Sequence, residues 1–145
     1  MSNSIVRVAI AILYQNDKFL MQLRDDIPNI VYPGHWGLFG GHLELGESPE
    51  VAVKRELLEE IGYTPPNLLE FGCYPDEKAI RHVYYAPLTI KLTDLVLLEG
   101  WDIDFLTIDN IKQGSYYSKK AKGVYPLVFT AQKILLDFID KISNA

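Results

Sequence analysis

Two hydrophobic periodicities alternate along this chain. Residues 5–14 (IVRVAIAILY) are nearly continuous in β-branched and aliphatic side chains and predict a strand. Asn16 and Asp17 supply turn chemistry, and residues 18–24 (KFLMQLR) predict a second strand, so the pair reads as a hairpin. Residues 25–34 hold two prolines and a glycine and predict an ordered loop, followed by a short extended piece at 35–39 that runs into Gly40-Gly41.

The clearest helix covers residues 49–61. Ser48 is a favourable N-cap, and Pro49 suits the first helical position, where its missing N–H costs nothing. Gly62 can take the left-handed conformation that ends a helix, and Pro65-Pro66 prevent its resumption. Residues 68–74, 80–91 and 95–98 then predict strands, with a further short one at 102–105. Residues 115–123 read as a loop with three lysines. Residues 126–143 show helical periodicity, with Leu127, Ile134, Leu135, Phe138 and Ile142 on one side together with Phe129 or Thr130. This order implies an α/β fold, a mixed sheet flanked by helices, in a single domain over residues 1–145.

Composition narrows the functional classes. Apolar residues make up 48% and charged residues 23% of the 145, as in an average soluble globular protein. The formal charge of −5 argues against a nucleic-acid coat or an anionic-membrane binder, both of which need a basic footprint. A single cysteine, Cys73, excludes an intrachain disulfide and reads as a small core residue. The first residues lack the layout of a signal peptide, and no stretch approaches the ~18–20 apolar residues of a membrane span. A cytoplasmic location is the expectation.

The acidity is concentrated. Residues 41–63 hold six glutamates against Lys54 and Arg55, whereas the other 122 residues carry 13 acids and 12 bases. With about 100° per helical residue, Glu56, Glu59 and Glu60 project from one arc. Val51, Val53, Leu57, Leu58 and Ile61 form the stripe expected to face the core. Glu56 and Glu60 are like charges at i,i+4, which disfavours the helix, and no lysine lies one turn away on that arc. A hard divalent cation, Mg²⁺ or Mn²⁺, would offset this arrangement. Gly40-Gly41 would let backbone approach a ligand closely and leave carbonyls free to coordinate a metal.

Residues 41–63 resemble the Nudix box, the signature of the Nudix hydrolases. Its pattern is met without a gap by Gly41, Glu47, Arg55, Glu56, Leu57, Glu59, Glu60 and Gly62; Tyr63 stands where an aliphatic residue is usual. Trp36-Gly37-Leu38-Phe39-Gly40-Gly41 is similar to the family's usual approach, with Phe39 replacing a proline. The resemblance implies a Nudix-type α/β/α sandwich. It also implies Mg²⁺- or Mn²⁺-dependent cleavage of a nucleoside diphosphate linked to another group, with no nucleic-acid polymer or membrane as partner; many members form homodimers. By the resemblance, Glu56, Glu60 and the Gly40 carbonyl would hold metal. Glu59 would be a metal ligand or the base, and Arg55, paired with Glu47 or Glu59, would orient the carboxylates.

Outside the box, Arg24 ends the second strand where relatives place a phosphate-contacting cation. Glu99 follows the 95–98 strand where some relatives place another catalytic glutamate. His35, His42 and His82 read as structural or solvent-facing. Tyr116, Tyr117 and Tyr125 interleave with Lys119, Lys120 and Lys122 as a solvated loop. Two other classes fit these residues less well. Isopentenyl-diphosphate isomerases share this fold, and Tyr32-Pro33-Gly34-His35-Trp36 is faintly similar to theirs, but no cysteine lies near the glycine pair. A non-catalytic nucleotide-sensing or protein-interaction module would be expected to lose carboxylates that are all present here.

Overall fold

Asn16 and Asp17 both take positive φ, 50° and 63°, the conformation that closes a two-residue hairpin between twisted strands. They join β1 (Val6–Gln15) to β2 (Lys18–Leu23), yet these strands pair only beside the turn, at Tyr14 with Phe19 and Gln15 with Lys18. Beyond it they diverge. The gap is filled by β3 (Trp36–Gly37), antiparallel to the end of β2, and β4 (Phe39–His42), antiparallel to the start of β1. The computed structural model that shows this describes residues 5–25 and 32–143, so most of the loop expected at 25–34 lies outside the described residues.

On its other edge β1 runs parallel to β6 (Ala79–Pro87), and β5 (Leu69–Pro75) pairs antiparallel with β6 at the sheet edge. β7 (Asp102–Thr107) pairs antiparallel with β2 and forms the opposite edge. The result is a seven-stranded mixed sheet.

Strand alternation gives each face its own core. Ala9, Ala11, Leu13, Leu20, Phe39 and Tyr84 meet Ala52, Val53, Leu57 and Ile61 of α1 (Pro49–Ile61). On the other face, Ile12, Phe19, Met21, Val83 and Leu106 meet Ile134, Leu135 and Phe138 of α3 (Phe129–Ser143), with Ile111 of α2 (Ile108–Gln113). The expected helix-sheet-helix sandwich is present. Among the described residues no helix is long and apolar enough to cross a membrane.

α1 has the predicted bounds and caps: Ser48 Oγ accepts from the Val51 N–H, and Gly62, at φ 65°, closes the helix. Its buried stripe is shifted, because Ala52 and Glu60 are buried whereas Val51 and Leu58 are each 54% exposed. The sheet contacts a narrower arc than the apolar residues span.

Residues 95–98 are not a strand. They follow a single 3₁₀ turn at Leu92–Asp94, and the Val96 and Leu98 N–H groups donate to the Ile61 and Glu60 carbonyls. The last carbonyls of a helix lack intrahelical partners, so this segment satisfies them instead of joining the sheet. The strand expected at 80–91 stops at Pro87, and that at 102–105 extends to Thr107.

Residues 115–123 are not a loop. β8 (Ser115–Ser118) and β9 (Gly123–Pro126) form a hairpin, held by Tyr116 OH on Asp104 and Ser118 Oγ on Asp102, and α3 begins only at Phe129. α2 was not foreseen; Thr107 and Asn110 form a reciprocal capping box at its start. Cys73 is exposed on the edge strand β5, not a core residue.

Candidate active site

The glycine pair sits where β4 lies closest to its neighbours. Gly40 has φ 141°, and a Cβ there would stand 2.0 Å from the Ala9 carbonyl oxygen. A Cβ on Gly41 would stand 2.5 Å from Glu56 Oε1. The sequence needs two glycines here because β1 backbone presses on one and the α1 carboxylate on the other.

Glu60 points from α1 toward the sheet and is 2% exposed. Its Oε1 accepts from Gln22 Nε2 at 2.8 Å and its Oε2 from the Gly40 N–H at 3.0 Å. Burial pushes its carboxyl up to about 8, against the lowering effect of those two hydrogen bonds, and nearby Glu56 and Glu99 add to the rise. Glu56 is also raised, first by burial, with Arg55 opposing and Glu59 and Glu99 adding.

Arg55 gathers the rest. Its Nε and Nη2 grip Glu47 at 2.7 and 3.0 Å in a two-point contact. Nη1 reaches Glu56 Oε1 at 3.0 Å and Glu59 Oε2 at 3.2 Å, Nη2 donates to the His42 carbonyl at 3.1 Å, and Glu44 lies 3.0 Å from Nε. The Glu47 bond leads in holding the guanidinium charged, and the Arg55 bond leads in lowering the Glu47 carboxyl. Glu47 also accepts the Glu44 N–H, which ties the loop before α1 to the helix.

The structure therefore brings Glu47, Arg55, Glu56, Glu59, Glu60 and Gly40 together. Glu99 joins them electrostatically, because the 96–101 segment is strapped to the end of α1 and, through the Trp101 N–H, to Leu23 at the end of β2. Arg24 is on the other side of the glycine strand, lining a cavity on the α3 face together with Gly40 and Gly41. Its Nε is buried without a partner among the described residues. His42 is exposed beside the site, His35 bonds within its own turn, and the buried Nε2 of His82 has no partner among the described residues. Tyr116 and Tyr125 pack on Trp36 and Trp101 respectively.

Sequence reasoning missed Gln22. A lone amide inside an otherwise apolar strand was the available signal, because a buried amide needs partners.

The donor set suits a hard divalent cation: carboxylate oxygens, two of them desolvated, with one arginine to offset them. Among the described residues no three acidic or His/Cys side chains already converge on one point. Glu60 is occupied by Gln22 and Gly40, and Glu59 leans out toward Arg55.

The chain is 43% identical over 58 residues to the nucleoside triphosphatase NudI of Escherichia coli O139:H28 (strain E24377A / ETEC), a match covering 39% of this chain and 40% of that one. The matched segments thus span about half or less of such curated relatives. The NUDIX domain of Shewanella oneidensis NrtR, complexed with ADP ribose, superposes with TM-score 0.73 at 19% identity, covering 97% of this chain and 90% of that one. A bifunctional NMN adenylyltransferase/ADP ribose pyrophosphatase of Francisella tularensis, complexed with AMP and Mn ion, gives 0.68 at 21% identity, with 95% and 42% covered. The family model described as NUDIX domain matches residues 4–121, so the chain belongs to the NUDIX domain family.

Proposed function

We propose that this protein is a divalent-metal-dependent pyrophosphohydrolase acting on a nucleoside diphosphate linked to a further group, such as a nucleoside triphosphate or a nucleotide-sugar-like molecule. The observation that carries this reading is the pairing of two desolvated carboxylates, Glu56 and Glu60, against a glycine strand that also borders a cavity. Support comes from the nucleoside triphosphatase relative and from structural neighbours holding ADP ribose, AMP and Mn.

Glu56, Glu60 and the Gly40 carbonyl would hold Mg²⁺ or Mn²⁺. Such an ion, when bound, neutralises diphosphate oxygens and lowers the pKa of water. The chain's own groups do the rest. Glu59, the most open of the three helix carboxylates, accepts the proton of the attacking water, whose oxygen bonds to phosphorus as the bridging P–O bond breaks. The leaving phosphate keeps the bridging oxygen. Arg55, by gripping Glu47 and touching Glu56 and Glu59, fixes the carboxylates in place. Arg24, which lines the cavity, offers its guanidinium to a substrate oxygen, and Glu99 supplies further negative charge beside Glu56 and Glu60.

The test is a panel of nucleoside triphosphates, nucleotide sugars, ADP-ribose and dinucleoside polyphosphates, with Mg²⁺, Mn²⁺ or EDTA. Metal-dependent release of monophosphate or pyrophosphate from some member is expected. Ligand-induced stabilisation without turnover across the panel would favour a sensing module instead.

A further inference from the structure

The cavity on the α3 face has a volume of about 430 Å³ and runs across three strands. Its floor is apolar, formed by Val6, Val8 and Ile10 of β1, with Leu38 beside them. Its charge is one-sided. Arg24 stands at one end and Lys78 and Arg81 at the other, and no acidic side chain lines it among the described residues.

Strand register gives the spacing. His42 of β4 faces Val8 of β1, and Val8 faces Arg81 of β6. Two interstrand steps, about 10 Å, therefore separate the glycine strand from Arg81. Gly40 and Gly41 line the same cavity, so a ligand whose diphosphate lies against the glycine pair reaches Arg81 only with its far end.

That far end is built and not merely exposed. Arg81 has a side chain 12% exposed, and its Nη1 donates to Asp76 Oδ2 at 2.7 Å. Asp76 in turn accepts the Lys78 and Ala79 N–H groups at 2.8 and 2.9 Å, so the β5–β6 turn fixes the guanidinium. Asp76 holds Arg81 through Nη1, and Lys78 is exposed on the same turn beside the cavity. A held guanidinium fork and an adjacent ammonium at the end of an apolar trough match a phosphate.

We propose that the substrate carries a second phosphate on the arm that lies in this trough, seated on Arg81 and Lys78, and that these two residues select for it. This rests on the hydrolase reading above, since that reading sets the diphosphate against the glycine pair.

The test uses matched mononucleotides with Mg²⁺ present: AMP against adenosine 2′,5′- and 3′,5′-bisphosphate, and the guanosine equivalents, by calorimetric titration. At least one bisphosphate is expected to bind 10-fold or more tightly than its monophosphate. In Arg81→Gln and Lys78→Glu that ratio is expected to fall to within about twofold of unity. Lys78 is exposed, so Lys78→Glu decides the matter even if Arg81→Gln fails to fold. No gain with any bisphosphate, or a gain that survives Lys78→Glu, overturns the proposal. The nucleotide panel separates the two readings: turnover without the gain removes the phosphate seat alone, and the gain without turnover removes the hydrolase reading alone.

Discussion

The space a side chain on Gly41 would fill is taken by the carboxylate of Glu56: a Cβ there would lie 2.5 Å from Oε1 and 2.6 Å from Cδ. The obstruction is the far end of a flexible side chain, so Gly41→Ala moves Glu56 without disturbing the backbone. Gly41→Ala is expected to reduce metal-dependent turnover by about 10–100-fold, the range for disturbing the support of a metal ligand, with little change in Tm. At Gly40 the obstacle is the Ala9 carbonyl at 2.0 Å and φ is 141°. Gly40→Ala is therefore expected to cost at least about 3 kcal/mol, lowering Tm by roughly 6 °C or more. Melting curves and initial rates on both variants check the contrast; equal stability losses would contradict it.

Arg55→Lys keeps the charge but loses the planar fork that holds Glu47 at two points while reaching Glu56 and Glu59. Turnover is expected to fall by about 10–100-fold, with a matching weakening of Mg²⁺ activation. A Mg²⁺ titration of the rate checks this. A wild-type activation curve would show that positioning by Arg55 is dispensable.

How legible this was in the sequence differs by element. α1 was readable to the residue because Ser48, Pro49 and Gly62 are local signals that act through the backbone. The hairpin of β1 and β2 was readable for the same reason. Residues 95–98 misled because their unbroken aliphatic run suits a strand, whereas the unsatisfied carbonyls of Ile61 and Glu60 claimed the Val96 and Leu98 N–H groups. The β8–β9 hairpin was hidden by its lysine-rich tip, and its anchors, Asp102 and Asp104, lie in a distant strand. In the site, the box gave the residues of α1 and its approach. It could not give Gln22, Lys78 or Arg81, whose places depend on strand register.

Glu60 predicts a pH dependence in the metal-free protein. Its folded-state carboxyl is raised to about 8 from an ordinary value of 4.5, by burial first. Below 4.5 it is protonated folded or unfolded and carries no penalty. As pH rises from 4.5 toward 8, the unfolded state releases its proton more readily, so stability falls. In EDTA, wild type is expected to lose Tm over this window more steeply than Glu60→Gln. Added Mg²⁺ is expected to raise wild-type Tm more at pH 8 than at pH 6. Parallel pH profiles of the two proteins in EDTA would refute the assignment.

Asp76 gives the opposite sign. Two backbone N–H bonds, from Ala79 and Lys78, and the Arg81 contact lower its carboxyl to about 2 from 3.8. The stability it contributes is present above 3.8 and is lost as pH falls toward 2. Asp76→Asn is expected to lower Tm at pH 7 and to converge with wild type near pH 2. Melting at the two pH values checks this, and a constant difference would contradict it.

The central claim is that the carboxylates on α1 serve hydrolysis and not the fold. Glu56→Gln is nearly isosteric and removes one ligand charge, and relief from desolvation should leave Tm unchanged or raised. The decisive measurement is its turnover at saturating Mg²⁺, on whichever substrate the wild type hydrolyses, beside its melting curve. A loss of at least about 100-fold with the fold intact is predicted. Near wild-type turnover in a folded Glu56→Gln protein would contradict the account.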